Sequence, residues 1–263
     1  MKRFLLTLLT IGGIIFLILG YIYWQDKTSV STTNKEVSAA DIEDAPSEGE
    51  KTKETAEQEG SMFYSNWPES AQEDYLAAKE NGKPYKVAIV GSTALGKDTN
   101  GWSEQLKSAL LEKDPDTLNV EIFQYDTITI DFIYSEQSEE VAAYAPDMVL
   151  FEPFSLNDNT KGVTVQDNHD SIEIFLRTLK EANEDVTLLL QPTYPLYNAT
   201  YYPGQVEELQ AFAEEKGYTY LNHWEEWPED ETLDDLNGDN EQAPSEEGHK
   251  LWADYLIKYF IAE

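Results

Sequence analysis

Short apolar runs alternate with longer amphipathic segments along the chain from Tyr85 to its end. This alternation is typical of a parallel sheet whose strands are joined by crossover helices. The apolar runs predict five strands, at 86–90, 120–123, 148–151, 186–190 and 218–221. Apolar residues at helical spacing predict helices that begin at Gly101 and near Ile130, that cover 172–179 and 206–213, and that end the chain over 251–260.

We therefore expect an α/β fold, with a flavodoxin-like, doubly wound parallel sheet of five strands. In such a sheet the ligand site lies at the carboxyl ends of the strands, near the switch point where the strand order reverses. Residues that follow the predicted strands are thus the first candidates for chemistry.

The first part of the chain is apolar without interruption. Residues 4–24 carry no charge and are dominated by Leu, Ile and Phe, which is long enough for a helix to cross a hydrocarbon core of about 30 Å. Lys2 and Arg3 precede the run, aromatic residues close it at Trp24, and no small-residue cleavage site follows. We predict a cytoplasmic stub and an uncleaved transmembrane signal anchor over 1–24, rather than a cleaved signal peptide. The chain would then be a single-pass protein of the cell membrane, with its C-terminal domain extracytoplasmic.

A polar segment follows the apolar run. Residues 25–60 consist mainly of Ser, Thr, Glu, Lys and Ala, with almost no large apolar side chains. Such a segment cannot bury enough surface to offset its ordering entropy, so we predict a disordered acidic linker, with a binding tail as the alternative. Apolar residues return over 62–76 and predict a lead-in helix, so the folded domain is expected to span 61–263.

Charge and cysteine content narrow the classes of function. The formal net charge is -33, from 51 acidic and 18 basic residues, and cysteine is absent. An acidic surface repels nucleic-acid phosphates, so nucleic-acid binding is not expected. The lack of cysteine excludes disulfides, thiolate metal sites and a cysteine nucleophile. No nucleotide-binding glycine motif follows the first predicted strand, so no cofactor is expected.

Two short segments that follow predicted strands carry candidate chemistry. Small residues at 91–96 permit a sharp turn that exposes the hydroxyl of Ser92 above the sheet, as a serine nucleophile requires; the alternative is a tight turn in which Ser92 caps the next helix. After the third strand, Asn157 could donate a hydrogen bond to a developing oxyanion, although an Asx turn would use the same residue type.

Together these segments resemble the first and third sequence blocks of the SGNH/GDSL hydrolases, namely a Gly-Asp-Ser-type turn and a Gly-x-Asn-Asp segment. A third likeness lies at the C-terminus, where 244–253 is similar to the family's Asp-x-x-His-Pro block and the helix after it. The resemblance extends from about Lys86 to the end of the chain. It implies an ester hydrolase with Ser92 as nucleophile and Asn157 as oxyanion donor.

The sequence also departs from the family pattern. The first block lacks one residue, which leaves Thr93 as an alternative nucleophile, and Ser155 stands where the family has glycine. After the second strand only Tyr125, Asp126 and Thr127 are found in place of the second block's glycine. In the last block the family's aspartate aligns with Asn240 and its histidine with Ala243.

A serine without a base is a poor nucleophile near neutral pH, so a displaced base is needed. The chain has three histidines, His169, His223 and His249. His249 lies six residues past Ala243, and we take it as the catalytic candidate; His223 follows the fifth strand and is the next choice. His169 precedes a helix and is expected at the surface.

Two further patterns leave alternatives open. The loop Asp235, Asn237, Asp239, Glu241 has oxygen ligands at alternating positions, as calcium loops do, but Asn240 replaces the required glycine and a solvated acidic loop is preferred. Aromatic residues after the fourth and fifth strands form either sugar-stacking platforms or the rim of the core; they are Tyr194, Tyr197, Tyr201, Tyr202, Trp224 and Trp227.

The sequence supports two hypotheses. The first is a membrane-anchored extracytoplasmic ester hydrolase, acting on acyl or acetyl esters of cell-surface glycans, with Ser92, Asn157 and His249 as its site residues and without metal or cofactor. The second is a catalytically degenerate protein that binds carbohydrate or a partner at the same cleft.

Overall fold

Five parallel strands form one sheet in the computed structural model, which describes residues 62–97, 100–238 and 243–262. The strands are β1 (Tyr85–Gly91), β2 (Leu118–Gln124), β3 (Met148–Phe151), β4 (Thr187–Leu190) and β5 (Thr219–Tyr220). Their spatial order is β2-β1-β3-β4-β5, and each neighbouring pair is parallel. The predicted flavodoxin-like sheet is therefore confirmed, and its switch point lies between β1 and β3.

Eight α-helices surround the sheet in the described residues. They are α1 (Glu69–Glu80), α2 (Trp102–Lys113), α3 (Thr129–Tyr134), α4 (Glu136–Ala143), α5 (Ser155–Lys161), α6 (Val165–Ala182), α7 (Tyr202–Lys216) and α8 (Glu246–Phe260). Short 3-10 segments occupy Thr93–Leu95, His223–Glu226 and Glu231–Leu236. The lead-in helix begins later than predicted from 62–76, because Pro68 disfavours a helical backbone at Trp67 and turns precede it.

The sheet is buried on both faces, and successive residues of each strand point to opposite sides. In β1, Val87 and Ile89 pack with α1, α2 and α8, whereas Ala88 and Val90 pack with α3, α6 and α7. Both faces are therefore apolar, which explains why the strands appear in the sequence as continuous apolar runs.

An aromatic column joins the helices on one face to the end of β4. The Trp102 and Trp252 rings stack at 4.7 Å between centroids, and the His223 ring stacks on Trp252 at 4.0 Å. Trp252 also donates a hydrogen bond from Nε1 to Oε1 of Gln191 (2.9 Å). The column thereby ties α2 and α8 to the carboxyl edge of the sheet.

His223 is a structural residue within this column. Its Nε2–H donates to the carbonyl of Pro192 (2.9 Å), and its Nδ1 accepts from Nε1 of Trp227 (3.0 Å). The side chain is fully buried, and burial lowers the pKa of His223 to about 3. The imidazole is therefore neutral at physiological pH, and both of its nitrogens are already hydrogen-bonded.

The lead-in segment closes the end of the last helix. Trp67 donates from Nε1 to the carbonyl of Phe260 (2.9 Å), and Asn66 donates to the carbonyl of Tyr259 (3.2 Å). The backbone N–H of Ala262 donates in return to the carbonyl of Phe63 (2.7 Å). These bonds satisfy carbonyls that a helix leaves unpaired at its C-terminus.

The predicted anchor at 4–24 and linker at 25–60 lie outside the described residues. Within 62–97, 100–238 and 243–262, no helix is both long and apolar enough to cross a membrane.

The buried imidazole leads to a stability prediction. We expect His223→Phe to lower the free energy of unfolding at pH 7.5 by about 2–4 kcal/mol, because the partners at Pro192 and Trp227 lose their hydrogen bonds. The difference in the free energy of unfolding between wild type and variant should shrink on acidification. The unfolded histidine binds a proton below about pH 6.5, whereas the folded one does so only near pH 3, so acid acting through this residue destabilises the wild type and not the variant. Urea unfolding at pH 7.5 and pH 5 measures both effects, with His169→Phe as the matched substitution at a half-buried ring. A deficit that is equal or larger at pH 5 would contradict the assignment.

Candidate active site

Ser92 lies at the carboxyl end of β1, in the turn that leads to the 3-10 segment. Its Oγ accepts a hydrogen bond from the backbone N–H of Ala94 (3.2 Å), so the hydroxyl caps this segment. The side chain is 4% exposed, whereas Thr93 next to it is exposed. The preceding Gly91 has no room for a side chain, because a Cβ would lie 2.9 Å from Cβ of Glu152. Ser92 is thus the hydroxyl held at the switch point.

Glu152, which the sequence analysis missed, is the residue that contacts Ser92. It follows β3 directly and is completely buried. Its Oε2 accepts from the backbone N–H of Ser92 (2.8 Å), and its Oε1 accepts from the hydroxyl of Thr193. Burial raises the pKa of Glu152, and the hydrogen bonds from Thr193 and from the Ser92 amide offset part of that rise. The sequence did carry a signal for this residue, because Glu152 is a single acidic residue between the apolar run 148–151 and Pro153.

Asn157 lies in the short helix α5, after β3. Its Nδ2 donates to the carbonyl of Thr127 (2.7 Å), in the segment that follows β2. The side-chain amide thus bridges two loops at the edge of the sheet. It has a second Nδ2 hydrogen, so the bond to Thr127 orients the amide without using all of its donors.

Asp158 fixes the base of the same loops. Its Oδ1 accepts from the backbone N–H of Thr129 (2.9 Å), and its Oδ2 accepts from the Thr129 hydroxyl and from Nδ2 of Asn168 (2.7 Å). Burial raises the pKa of Asp158, while the bonds from Asn168 and Thr129 lower it in part. The carboxyl therefore joins α3, α5 and α6 and places Asn157 at the edge of the sheet.

Phe154 starts α5 with a left-handed backbone. Its φ is 55°, which is uncommon for a residue other than glycine and costs on the order of 1–3 kcal/mol. The ring is buried against Phe132 and Phe151, at 5.2 and 5.9 Å between centroids. This packing holds the turn that separates Glu152 from α5.

His249, the predicted catalytic histidine, is placed against the start of α2. The backbone N–H of Trp102 donates to its Nδ1 (3.3 Å), so the ring caps that helix. Gly96 lies beside it with φ 68°, and a Cβ there would lie 2.9 Å from Cε1 of His249. Burial lowers the pKa of His249 to about 4, so the ring is neutral and weakly basic.

The histidines are not joined to the serine by hydrogen bonds in the described residues. His223 belongs to the aromatic column, His249 caps α2, and the half-buried His169 stacks on Phe212 at 4.2 Å. The structure instead brings Ser92 together with Glu152 and Thr193.

The C-terminal block has no proton-handling side chain at position 243. Ala243 accepts from the backbone N–H of Gly238 (2.8 Å), and Asn237 pairs with Pro244 in an antiparallel bridge. Asn240 and the acidic residues beside it lie outside the described residues. Asn237, one candidate calcium ligand, donates to the carbonyl of Pro195 (3.2 Å), and the described residues contain no cluster of acidic or histidine side chains suited to a metal.

The aromatic residues near this edge belong mostly to the core. Tyr194, Tyr202 and Trp227 are buried, and Trp224 donates from Nε1 to the carbonyl of Thr193 (2.6 Å). Tyr201 is 80% exposed. The stacking-platform interpretation is therefore reduced to Tyr201 and the half-buried Tyr197 and Trp224.

No protein-family model and no curated protein sequence matches the chain. Solved structures do. The chain is similar to a lipolytic protein of the G-D-S-L family from Desulfitobacterium hafniense DCB-2, at 20% identity and a TM-score of 0.52 over 66% of this chain and 99% of that one. It is similar to the psychrotrophic esterase EstA from Pseudoalteromonas sp., at 16% identity and a TM-score of 0.52 over 66% and 96%. It is also similar to a carbohydrate esterase of family 3 from Talaromyces cellulolyticus, at 14% identity and a TM-score of 0.51 over 65% of this chain and 94% of that one. The described domain thus has the fold of the SGNH/GDSL enzymes, as its motifs suggested.

The Asp158 network leads to a second prediction. We expect Asp158→Ala to lower the free energy of unfolding by about 3 kcal/mol, because the Thr129 N–H loses its acceptor and the Thr129 hydroxyl and Asn168 amide each lose one, while keeping the carbonyl of Pro153. Asp170→Ala, an exposed carboxylate on the same side of the fold, should cost less than about 0.5 kcal/mol. Urea unfolding at pH 7.5 compares the two. Equal losses would show that the network does not hold these loops.

Proposed function

We propose that this chain is an ester hydrolase in which Ser92 is the nucleophile. The observation that carries the proposal is the position of Ser92, which lies at the carboxyl end of β1, beside the switch point, with its amide bonded to the buried carboxyl of Glu152. The solved structures with the same fold include a lipolytic protein and esterases, which supports this class of reaction.

Asn157 supplies the proposed oxyanion contact. The bond from Nδ2 to Thr127 fixes the orientation of the amide, and the second Nδ2 hydrogen is the donor for the developing charge. The Ser92 amide, which also lies at this edge, already donates to Glu152. We therefore assign the larger share of oxyanion stabilisation to Asn157.

The substrate class and location remain part of the proposal. A membrane anchor at 4–24 with the domain outside the cell would place the site near cell-surface glycans, whose acyl or acetyl esters are suitable substrates. The exposed ring of Tyr201 offers a surface on which a sugar can stack.

A second candidate function is binding without catalysis, at the same edge of the sheet. It is favoured by Ala243, at the position where the resemblance implies a catalytic histidine. It is also favoured by His223 and His249, whose rings are hydrogen-bonded to Pro192 and to Trp102. The ligand would be a carbohydrate or a protein partner.

Hydrolysis of p-nitrophenyl acetate by the full-length protein in detergent separates the two functions. We expect Ser92→Ala to reduce the rate above the uncatalysed background at least about 100-fold, because the nucleophile is lost. Thr93→Ala, which removes the neighbouring exposed hydroxyl, should leave the rate unchanged and so excludes Thr93 as the nucleophile. Equal rates for the wild type and Ser92→Ala would refute the hydrolase proposal and favour the binding function.

A further inference from the structure

We propose that Glu152 is the general base of this site, taking the proton of Ser92 in place of a histidine. The inference rests on the proposed hydrolase function and names the group that would make Ser92 reactive.

In the described residues, Glu152 is the ionisable side chain that is hydrogen-bonded to Ser92. Oε2 accepts from the Ser92 amide at 2.8 Å, so the carboxyl lies beside the residue whose hydroxyl it would deprotonate. The oxygen of that hydroxyl accepts from Ala94, which leaves its hydrogen available for Glu152.

Other candidate bases near the edge are occupied elsewhere. His223 is bonded at both nitrogens, and His249 has its Nδ1 on the Trp102 amide. The Asp158 carboxyl accepts from Thr129 and Asn168 on the α3–α6 side. Among the hydrogen bonds of these groups, none goes to Ser92.

The surroundings of Glu152 tune its basicity. The Ser92 turn and the Thr193 hydroxyl donate to it and favour the ionised form, whereas burial and the negative charge of Asp158 on α5 raise its pKa. On α7, burial and the negative charge of Glu152 raise the pKa of the buried Tyr202 phenol, which therefore stays neutral. A carboxylate with a raised pKa is a stronger base and approaches the range that general-base catalysis requires near neutral pH.

Glu152 can carry out the proton transfers of both halves of ester hydrolysis without a second acid or base. Glu152 takes the hydroxyl proton while Oγ of Ser92 forms a bond to the ester carbonyl carbon, and the protonated carboxyl then gives that proton to the leaving alkoxide as the ester C–O bond breaks. In the second half, Glu152 takes a proton from water as the water oxygen bonds to the acyl carbon, and Ser92 recovers the proton as the acyl-enzyme bond breaks. The products are an acid and an alcohol.

The test measures the rate at which a fluorophosphonate labels Ser92 in the full-length protein, from pH 4 to pH 9. The wild-type rate should rise through one ionisation and then level off. Glu152→Gln, which keeps an acceptor for the Ser92 amide, should reduce the labelling rate about 100-fold and abolish that ionisation. Glu173→Gln, an exposed carboxylate on α6, is the matched control and should label like the wild type.

Thr193→Val gives an independent readout. It removes a donor that lowers the pKa of Glu152, so the midpoint of the pH profile should move to higher pH while the plateau rate persists. This shift would not arise if Glu152 only held the turn, and it remains measurable if Glu152→Gln fails to fold.

The outcomes separate the two proposals. No labelling of Ser92 in the wild type would overturn the hydrolase function and this inference with it. Labelling that is equally fast in Glu152→Gln, or a midpoint that Thr193→Val leaves unmoved, would overturn the role of Glu152 while Ser92 stays the nucleophile.

Discussion

A carboxyl group is buried at the point where the sheet reverses its strand order, and the site is arranged around its hydrogen bonds. Desolvating Glu152 is costly unless donors surround it. The backbone of Ser92 supplies one donor and Thr193 supplies another, so the ends of β1, β3 and β4 are tied together. Gly91 must lack a side chain for β1 and β3 to meet here. The position of the proposed nucleophile is therefore a consequence of satisfying one buried carboxylate.

The aromatic column and the Asp158 network support this edge from opposite faces of the sheet. On one face, Trp252 stacks between Trp102 and His223 and donates to Gln191, which fixes α8 against the end of β4. On the other face, Asp158 joins the loops that follow β2 and β3. His223 therefore has a packing role in the column, and the Asp158 carboxyl holds the loops together. Glu152 is the group that remains for the proposed proton transfer at Ser92.

The strands, the helices and the location of Ser92 could be predicted from the sequence, because hydrophobic periodicity is local and a parallel sheet has few topologies. The roles of the histidines could not be predicted from the sequence. His249 is bonded to a residue 147 positions away and His223 to one 31 positions away, so both roles depend on tertiary packing. Glu152 was missed for the same reason: 60 residues separate it from Ser92, and only the adjacency of β1 and β3 brings them together.

The identity of this buried group is itself an argument for chemistry. If the only requirement were to hold the Ser92 turn, glutamine at position 152 could accept from the Ser92 amide and donate to the Thr193 oxygen. It would do so without the cost of desolvating a charge. A carboxylic acid is the less stable choice for a purely structural role, and what it adds is the ability to take up and release a proton. In this class of sheet, ligands bind at the carboxyl edge of the strands. A destabilising group at that edge is typical of a functional site. For that reason the carboxyl, rather than the displaced histidines, is the group on which the proposed catalysis depends.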